Sequence, residues 1–129
     1  MENNRSNRFA GFVTLFLGLL LIGLGLTTLV HPQIMERYGL NADSLHAIMS
    51  IRALIGGAEI GLGLLMMAGG KLGISIRSRL WTGLFLFSGI VAARLISLFL
   101  ADAAIPELIY REFIAEVIIV GVICTGLKK

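Results

Sequence analysis

The stretch that decides the fold is IRALIGGAEIGLGLL, residues 51–65, a run of apolar residues and glycines with one arginine and one glutamate inside it. Arg52 and Glu59 are seven residues apart, almost two turns, so a regular α-helix would place both on one face. A charged side chain at membrane depth must face protein or water rather than lipid. The stretch therefore predicts a membrane helix whose charges meet those of neighbouring helices, and Arg94, Glu112 and Glu116 are the candidates.

The composition is that of a membrane protein. Of the 129 residues, 57% are hydrophobic, and the mean hydropathy is strongly positive. Four apolar segments come close to the roughly 20 residues that a bilayer-spanning helix needs. Because the connections between them are short, we expect one all-α domain, a four-helix transmembrane bundle with antiparallel neighbours. The predicted spans are residues 9–30, 47–68, 80–101 and 108–127.

The basic residues predict the orientation of this bundle. The formal net charge is +3, but lysine and arginine never form a stripe with interleaved aromatic residues, so no nucleic-acid partner is expected. One side of the predicted bundle carries only Arg37 and Arg111. The positive-inside rule then places both termini in the cytoplasm of a multi-pass protein of the cell membrane, which we expect to be bacterial. The inner basic residues are Arg5, Arg8, Lys71, Arg77, Arg79, Lys128 and Lys129.

The first span carries no charge. Its apolar run of about 22 residues exceeds the roughly 7–15 of a signal-peptide core, and no small-x-small cleavage site follows it, so a retained anchor helix is predicted. Gly11, Gly18, Gly23 and Gly25 would let a neighbouring helix approach closely.

The longest connection, HPQIMERYGLNADSLH, follows the first span. Its first part predicts a short interfacial helix that stops at Gly39, and Asn41 or Asp43 is the expected cap of the next helix. His31 and His46 could bind a metal, but no cysteine and no regular ligand spacing supports such a site. Interfacial histidines are the simpler interpretation.

Small residues predict where the helices pack. The second span contains a GxxxG pair, and the third span has a small residue at every fourth position beside its arginine. Missing side chains let two membrane helices approach closely. The predicted packing residues are Gly56, Gly57, Gly61, Gly89, Ala93 and Ser97.

The five intramembrane charges are predicted to converge. Counting about 1.5 Å per residue from the outer end of each span, four of them share one layer in the outer half of the bundle. Those four are Arg52, Arg94, Glu112 and Glu116. Two arginines opposite two glutamates balance, whereas two glutamates four residues apart repel unless a cation or a proton intervenes. Glu59 lies deeper without an obvious cation, so we expect it to be protonated or to face a cavity.

Two interpretations of this charge network stay open at this point. It could be a structural clasp that sets the register of the helices. It could equally line a pocket for a small polar or amphipathic molecule, since charges at membrane depth are costly and usually mark sites.

Enzymatic sites of familiar types are not indicated. The chain shows no Ser-His-Asp order, no metal cluster and no phosphate-cradling loop after a strand, so neither a cofactor nor a metal is expected. Cys124 is the only cysteine, cannot form an intrachain disulfide, and is expected to be an apolar filler.

Three segments carry a resemblance to a known family: PQIMERYGL, IRALIGGAEIGLGLL and GIVAARLISLFLADAAIPE, followed by a helix with an inward glutamate. Over nearly the whole chain they resemble the four-helix membrane proteins grouped as domain of unknown function 4345. That family has Asp-Gly after the third span, where this chain has Asp102-Ala103. The resemblance implies a four-helix integral membrane protein and no established activity. The matching motif residues are Arg52, Ala53, Gly56, Gly57, Arg94 and Ser97.

A second resemblance suggests an enzymatic alternative. Arg52-Ala53 followed by Glu59 is similar to the RAxxNxxE segment of membrane-associated glutathione-utilising enzymes, which are also small four-helix proteins. Gly56 stands where that pattern has asparagine. The similarity implies a glutathione- or lipid-utilising membrane enzyme.

A small proton-coupled transporter is the third alternative. Small multidrug antiporters also have four helices, but their essential carboxylate lies in the first, and the first span of this chain is uncharged. We therefore expect a non-catalytic binding or accessory protein rather than an enzyme. Its expected partners are the lipid bilayer, a small polar or amphipathic ligand, and a second copy or another membrane protein.

Overall fold

The protein is helical throughout the part that the computed structural model describes, residues 2–100 and 107–128, and no β-strand occurs in these ranges. This confirms the all-α prediction. Asp102-Ala103 and the end of the third predicted span, at residue 101, lie outside the described residues. The four long helices are α1 (Glu2–Val30), α2 (Leu45–Leu72), α3 (Ile76–Leu100) and α4 (Glu107–Lys128).

Within residues 2–100 and 107–128, three helices are long and apolar enough to cross a membrane, namely Asn7–Val30, Leu45–Leu72 and Ile76–Leu100. Their length and composition are those of a membrane protein. Helix α4 is 22 residues long but has four charged residues among its first ten. A fourth crossing, and with it the four-helix bundle, stays a prediction.

Helix α2 is continuous but changes its winding. It is α-helical over Leu45–Ile51, forms a π-helix over Arg52–Gly57, and is α-helical again over Ala58–Ala68 before a final 3₁₀ turn. A π-turn inserts one residue into the helix, which rotates everything beyond it by about 100°. The prediction that Arg52 and Glu59 share one face is therefore wrong. Arg52 is exposed, whereas Glu59 is half-buried.

The connection between α1 and α2 contains a short 3₁₀ helix, Pro32–Tyr38. It ends at Gly39, whose φ of 75° lies in the left-handed region that favours glycine. The N–H of Gly39 donates to the carbonyl of Glu36 at 3.0 Å and closes the last turn. The predicted short helix and its stop at Gly39 are confirmed.

Ser44 caps α2. Its backbone is extended, and its hydroxyl accepts a hydrogen bond from the N–H of Ala47 at 3.1 Å. The predicted caps, Asn41 and Asp43, were wrong because a cap must directly precede the first helical residue, and α2 begins at Leu45.

Replacing Ser44 with alanine should cost about 1 kcal/mol of unfolding free energy, because the N–H of Ala47 loses its acceptor. Asp43→Ala is the matched control, and we expect no measurable change from it. Unfolding titrations in detergent micelles measure both. An equal loss in the two variants would contradict the assignment of the cap.

The chain divides into two compact units. The α1–α2 unit is Thr14–Ile74, and the α3–α4 unit is Met1–Val13 together with Ser75–Lys129. In the α3–α4 unit the two long helices pack closely near the ends that are predicted to face the cytoplasm. There, a Cβ added to Gly126 would lie 3.4 Å from Cδ1 of Leu80.

Glycines spaced seven residues apart bring α1 and α2 into contact. A Cβ added to Gly25 would lie 2.6 Å from the carbonyl oxygen of Gly56, and one added to Gly63 would lie 2.7 Å from the carbonyl oxygen of Gly18. Both distances are too short for any side chain, so the two backbones touch at two levels. Because Gly18 meets Gly63 and Gly25 meets Gly56, the helices run antiparallel. A seven-residue spacing keeps one face of each helix against its partner over both levels.

The predicted packing positions fall on different surfaces. Gly56 lies in the α1–α2 contact. Gly57 and Gly61, the GxxxG pair, are exposed, and a Cβ on Gly61 would meet nothing within 4 Å. The small residues of α3 form an exposed strip that no described helix covers. That strip consists of Gly89, Ala93 and Ser97.

Candidate functional site

Three charged side chains join α3 to α4. The Nε–H of Arg94 donates to both carboxylate oxygens of Glu116, at 2.9 and 2.8 Å. Nη2 of the same guanidinium donates to Oε2 of Glu112 at 2.9 Å. We call Arg94, Glu112 and Glu116 the charge cluster.

The local sequence explains why one arginine can hold two glutamates. Glu112 and Glu116 are four residues apart on a regular helix, so their side chains rise from the same face. A guanidinium is planar and presents donors along two edges, which lets it bind both carboxylates at once. Arg94 thus replaces a repulsion within α4 by two attractions between α3 and α4.

The cluster is only partly covered. The side chains of Arg94 and Glu112 are each 23% exposed, and that of Glu116 is 14% exposed. Ion pairs with little access to water are stronger than those on an open surface. The exposed remainder still lets a further polar group reach the cluster. On α3, beside Arg94, the hydroxyl of Ser97 donates to the carbonyl of Ala93 at 2.8 Å, so it is engaged within its own helix.

Arg52 takes no part in this cluster. It is exposed, and it forms no ion pair with any residue in the described ranges. The sequence predicted a layer of two arginines and two glutamates. The structure shows one arginine, Arg94, in contact with the two glutamates. A π-helix starts at Arg52 and changes the direction of its side chain relative to the rest of α2.

Glu59 lies in the α1–α2 unit. Its Oε2 atom is buried and has no hydrogen-bond partner among the described residues. Thr28 on α1 is a polar neighbour of this carboxyl group. Thr28 is 2% exposed, and its hydroxyl donates to the carbonyl of Leu24 at 3.1 Å. Sequence reasoning missed Thr28, although hydroxyls are rare in this apolar helix and could have drawn attention to it.

The other side chains that could bind a metal ion do not lie close together in the described ranges. Within residues 2–100 and 107–128, no three side chains of His, Cys, Asp or Glu are arranged to hold a metal ion. His31 and His46 are both exposed. Cys124 is a free, half-buried thiol eight residues beyond Glu116, which is about 12 Å along α4. The cluster therefore offers charged hydrogen bonds but no adjacent thiol nucleophile.

No protein family, curated protein or solved structure matches this chain. The resemblance to domain of unknown function 4345 and the similarity to glutathione-utilising enzymes therefore stay predictions.

Proposed function

We propose that this chain is a non-catalytic binding or accessory protein of the bacterial cytoplasmic membrane. Its resemblance to domain of unknown function 4345 implies a four-helix integral membrane protein. In this proposal the charge cluster holds α3 to α4 and offers its exposed edge to a small polar or amphipathic molecule. One observation carries the proposal: the side chain of Arg94, whose guanidinium is bound by two carboxylates, is still 23% exposed.

We propose that α4 is the fourth span. Its charges argue against a lipid-embedded helix when counted singly, but two of them, Glu112 and Glu116, are paired with Arg94. Pairing greatly lowers the cost of holding a charge at membrane depth. Glu107 and Arg111 are exposed near the start of the helix, where they can reach the headgroups. With four spans, the positive-inside rule places both termini in the cytoplasm.

Two features favour a non-catalytic role. Nε and Nη2 of Arg94 already donate to carboxylates, which makes this guanidinium less available to activate a substrate thiol. The glutathione alternative needs Arg52 and Glu59 to act together, and the π-helix separates their faces. Glutathione binding that is lost in Arg52→Ala would favour the enzyme instead.

The binding proposal can be tested by native mass spectrometry of the chain released from lipid nanodiscs. Glu116→Gln removes the bidentate acceptor of Arg94, and Glu107→Gln is the matched control because it neutralises an exposed glutamate on the same helix. We expect the wild type and the control to retain a bound molecule that Glu116→Gln holds at least tenfold more weakly. Equal retention by all three chains, or none by the wild type, would contradict a binding role for the cluster.

A small proton-coupled transporter is the second candidate. It is favoured by the buried oxygen of Glu59 that lacks a hydrogen-bond partner among the described residues, since ionisable groups within spans often serve proton relays. Proton-coupled uptake into vesicles that Glu59→Gln abolishes would favour this candidate.

A further inference from the structure

Three exposed cations meet at one end of the α3–α4 unit. A Cβ added to Gly126 on α4 would lie 3.4 Å from Cδ1 of Leu80 on α3 and 4.0 Å from Cε1 of Phe9 on α1, so the three helices come together at this level. On each helix an exposed cation lies one to three residues nearer the helix end, which is at most about 4.5 Å along the axis. These cations are Arg8, Arg77 and Lys128, which we call the basic rim.

No carboxylate in the described ranges neutralises the basic rim, since none of its three side chains forms an ion pair there. The described acidic residues of this unit lie towards the other end of α4. The nearest of them, Glu116, is ten residues before Gly126, about 15 Å along the helix. Arg79 is buried and is not part of the rim. The rim therefore presents three positive charges to an anion from outside the chain.

Aromatic rings continue this surface along α3. Arg77, Trp81 and Phe85 follow one another at intervals of four residues on a regular α-helix, so each lies one turn beyond the last, and all three are exposed. The rings of Trp81 and Phe85 are stacked, with centroids 5.8 Å apart. Phe85 is 72% exposed and lies inside the apolar helix Ile76–Leu100. A cation, then an indole, then an apolar ring matches the order of polarity from headgroup to hydrocarbon in a bilayer leaflet.

We propose that this end of the α3–α4 unit is a binding surface for an anionic phospholipid. The headgroup lies against the basic rim, and an acyl chain lies along the rings of Trp81 and Phe85. A phospholipid uses both parts of the surface, whereas a free phosphate or an acidic soluble protein would contact the rim alone. The surface shares no residue with the charge cluster. It rests on the apolar length of α1 and α3 and not on ligand binding by that cluster.

The fluorescence of Trp81 tests the proposal, because Trp81 is the only tryptophan of the chain and reports the lipid beside it. The chain is reconstituted in vesicles of phosphatidylcholine and phosphatidylglycerol in equal amounts, and one or the other lipid carries brominated acyl chains that quench tryptophan. Both leaflets have the same composition, so the orientation of the chain does not affect the result. We expect phosphatidylglycerol to bind beside Trp81 about threefold more tightly than phosphatidylcholine. Equal quenching by the two lipids would overturn the proposal.

Neutralising the basic rim tests the source of this preference. In the triple variant Arg8→Gln, Arg77→Gln, Lys128→Gln the two lipids should quench Trp81 equally. The matched control is Arg111→Gln, which removes an exposed cation near the opposite end of α4 and should keep the preference. A preference that survives the triple variant, or that Arg111→Gln removes as well, would contradict the proposal. Arg77→Gln alone should lower the preference, and it serves if the triple variant does not fold.

The lipid surface and the ligand role of the charge cluster fail separately. Glu116→Gln disturbs the cluster but leaves the basic rim and both rings in place. We therefore expect its preference for phosphatidylglycerol to equal that of the wild type. Loss of the preference in Glu116→Gln would show that the rim does not select the lipid by itself.

Discussion

Leucine in place of Gly25 should separate α1 from α2 and lower the free energy of unfolding by about 3 kcal/mol. A Cβ at this position would lie 2.6 Å from the carbonyl oxygen of Gly56 and 2.8 Å from Cγ1 of Ile60. The first contact is with backbone, which cannot move away as a flexible side chain can. Unfolding titrations in bicelles measure the loss, and cross-linking between cysteines introduced on the two helices reports their separation.

The matched control is Gly23→Leu, two residues earlier on the same helix. A Cβ on Gly23 would meet nothing within 4 Å, and leucine is a better helix former than glycine. We expect its unfolding free energy to change by less than about 1 kcal/mol. Gly61→Leu probes the predicted GxxxG pair in the same way. A large loss in Gly61→Leu together with a small loss in Gly25→Leu would refute the seven-residue glycine contact.

Removing the guanidinium of Arg94 should cause the second large decrease in the free energy of unfolding. In Arg94→Gln, Glu112 and Glu116 lose the cation that lies between them, and two carboxylates on one face of α4 repel. Breaking an ion pair that is mostly covered costs about 3 kcal/mol, and the partial exposure of these side chains keeps the loss from being larger. We expect this decrease in the free energy of unfolding, measured in the same bicelles.

Arg111→Gln is the control, because Arg111 is exposed one residue before Glu112. Its expected effect is less than about 0.5 kcal/mol, as for ordinary surface substitutions. The double exchange Arg94→Glu with Glu116→Arg restores a pair with the opposite polarity and should recover part of the stability. If Arg111→Gln were as damaging as Arg94→Gln, the loss would reflect charge in general rather than this cluster.

Much of the fold could be predicted because the bilayer sets the length of apolar helices. The long apolar runs became α1, α2 and α3, and the helix with its inward glutamates became α4. Gly39 was recognised as a stop because a left-handed residue is most easily a glycine. The spacing of Glu112 and Glu116 placed both on one face, where their repulsion required a cation or a proton, and two arginines were predicted to lie opposite them. The structure places Arg94 there.

The errors arose where packing overrides regular spacing. The π-helix at Arg52–Gly57 is invisible to a count that assumes a regular α-helix, so Arg52 and Glu59 were assigned to one face. The π-helix also affects which glycines of α2 face α1. Sequence spacing favoured the pair at Gly57 and Gly61, whereas the contact with α1 uses Gly56 and Gly63.

By itself, the amino-acid sequence determined that this chain is built of long apolar helices and that the paired glutamates of α4 need a cation or a proton between them, because hydrophobic length and the repulsion of nearby like charges are local properties. Only the tertiary structure decided which glycines touch α1, that Arg52 is exposed, and that one carboxyl oxygen of Glu59 is buried without a hydrogen-bond partner among the described residues. The reason is that the winding of α2 depends on how closely two backbones pack. That packing is a property of the helix pair, which residue spacing along one helix does not specify.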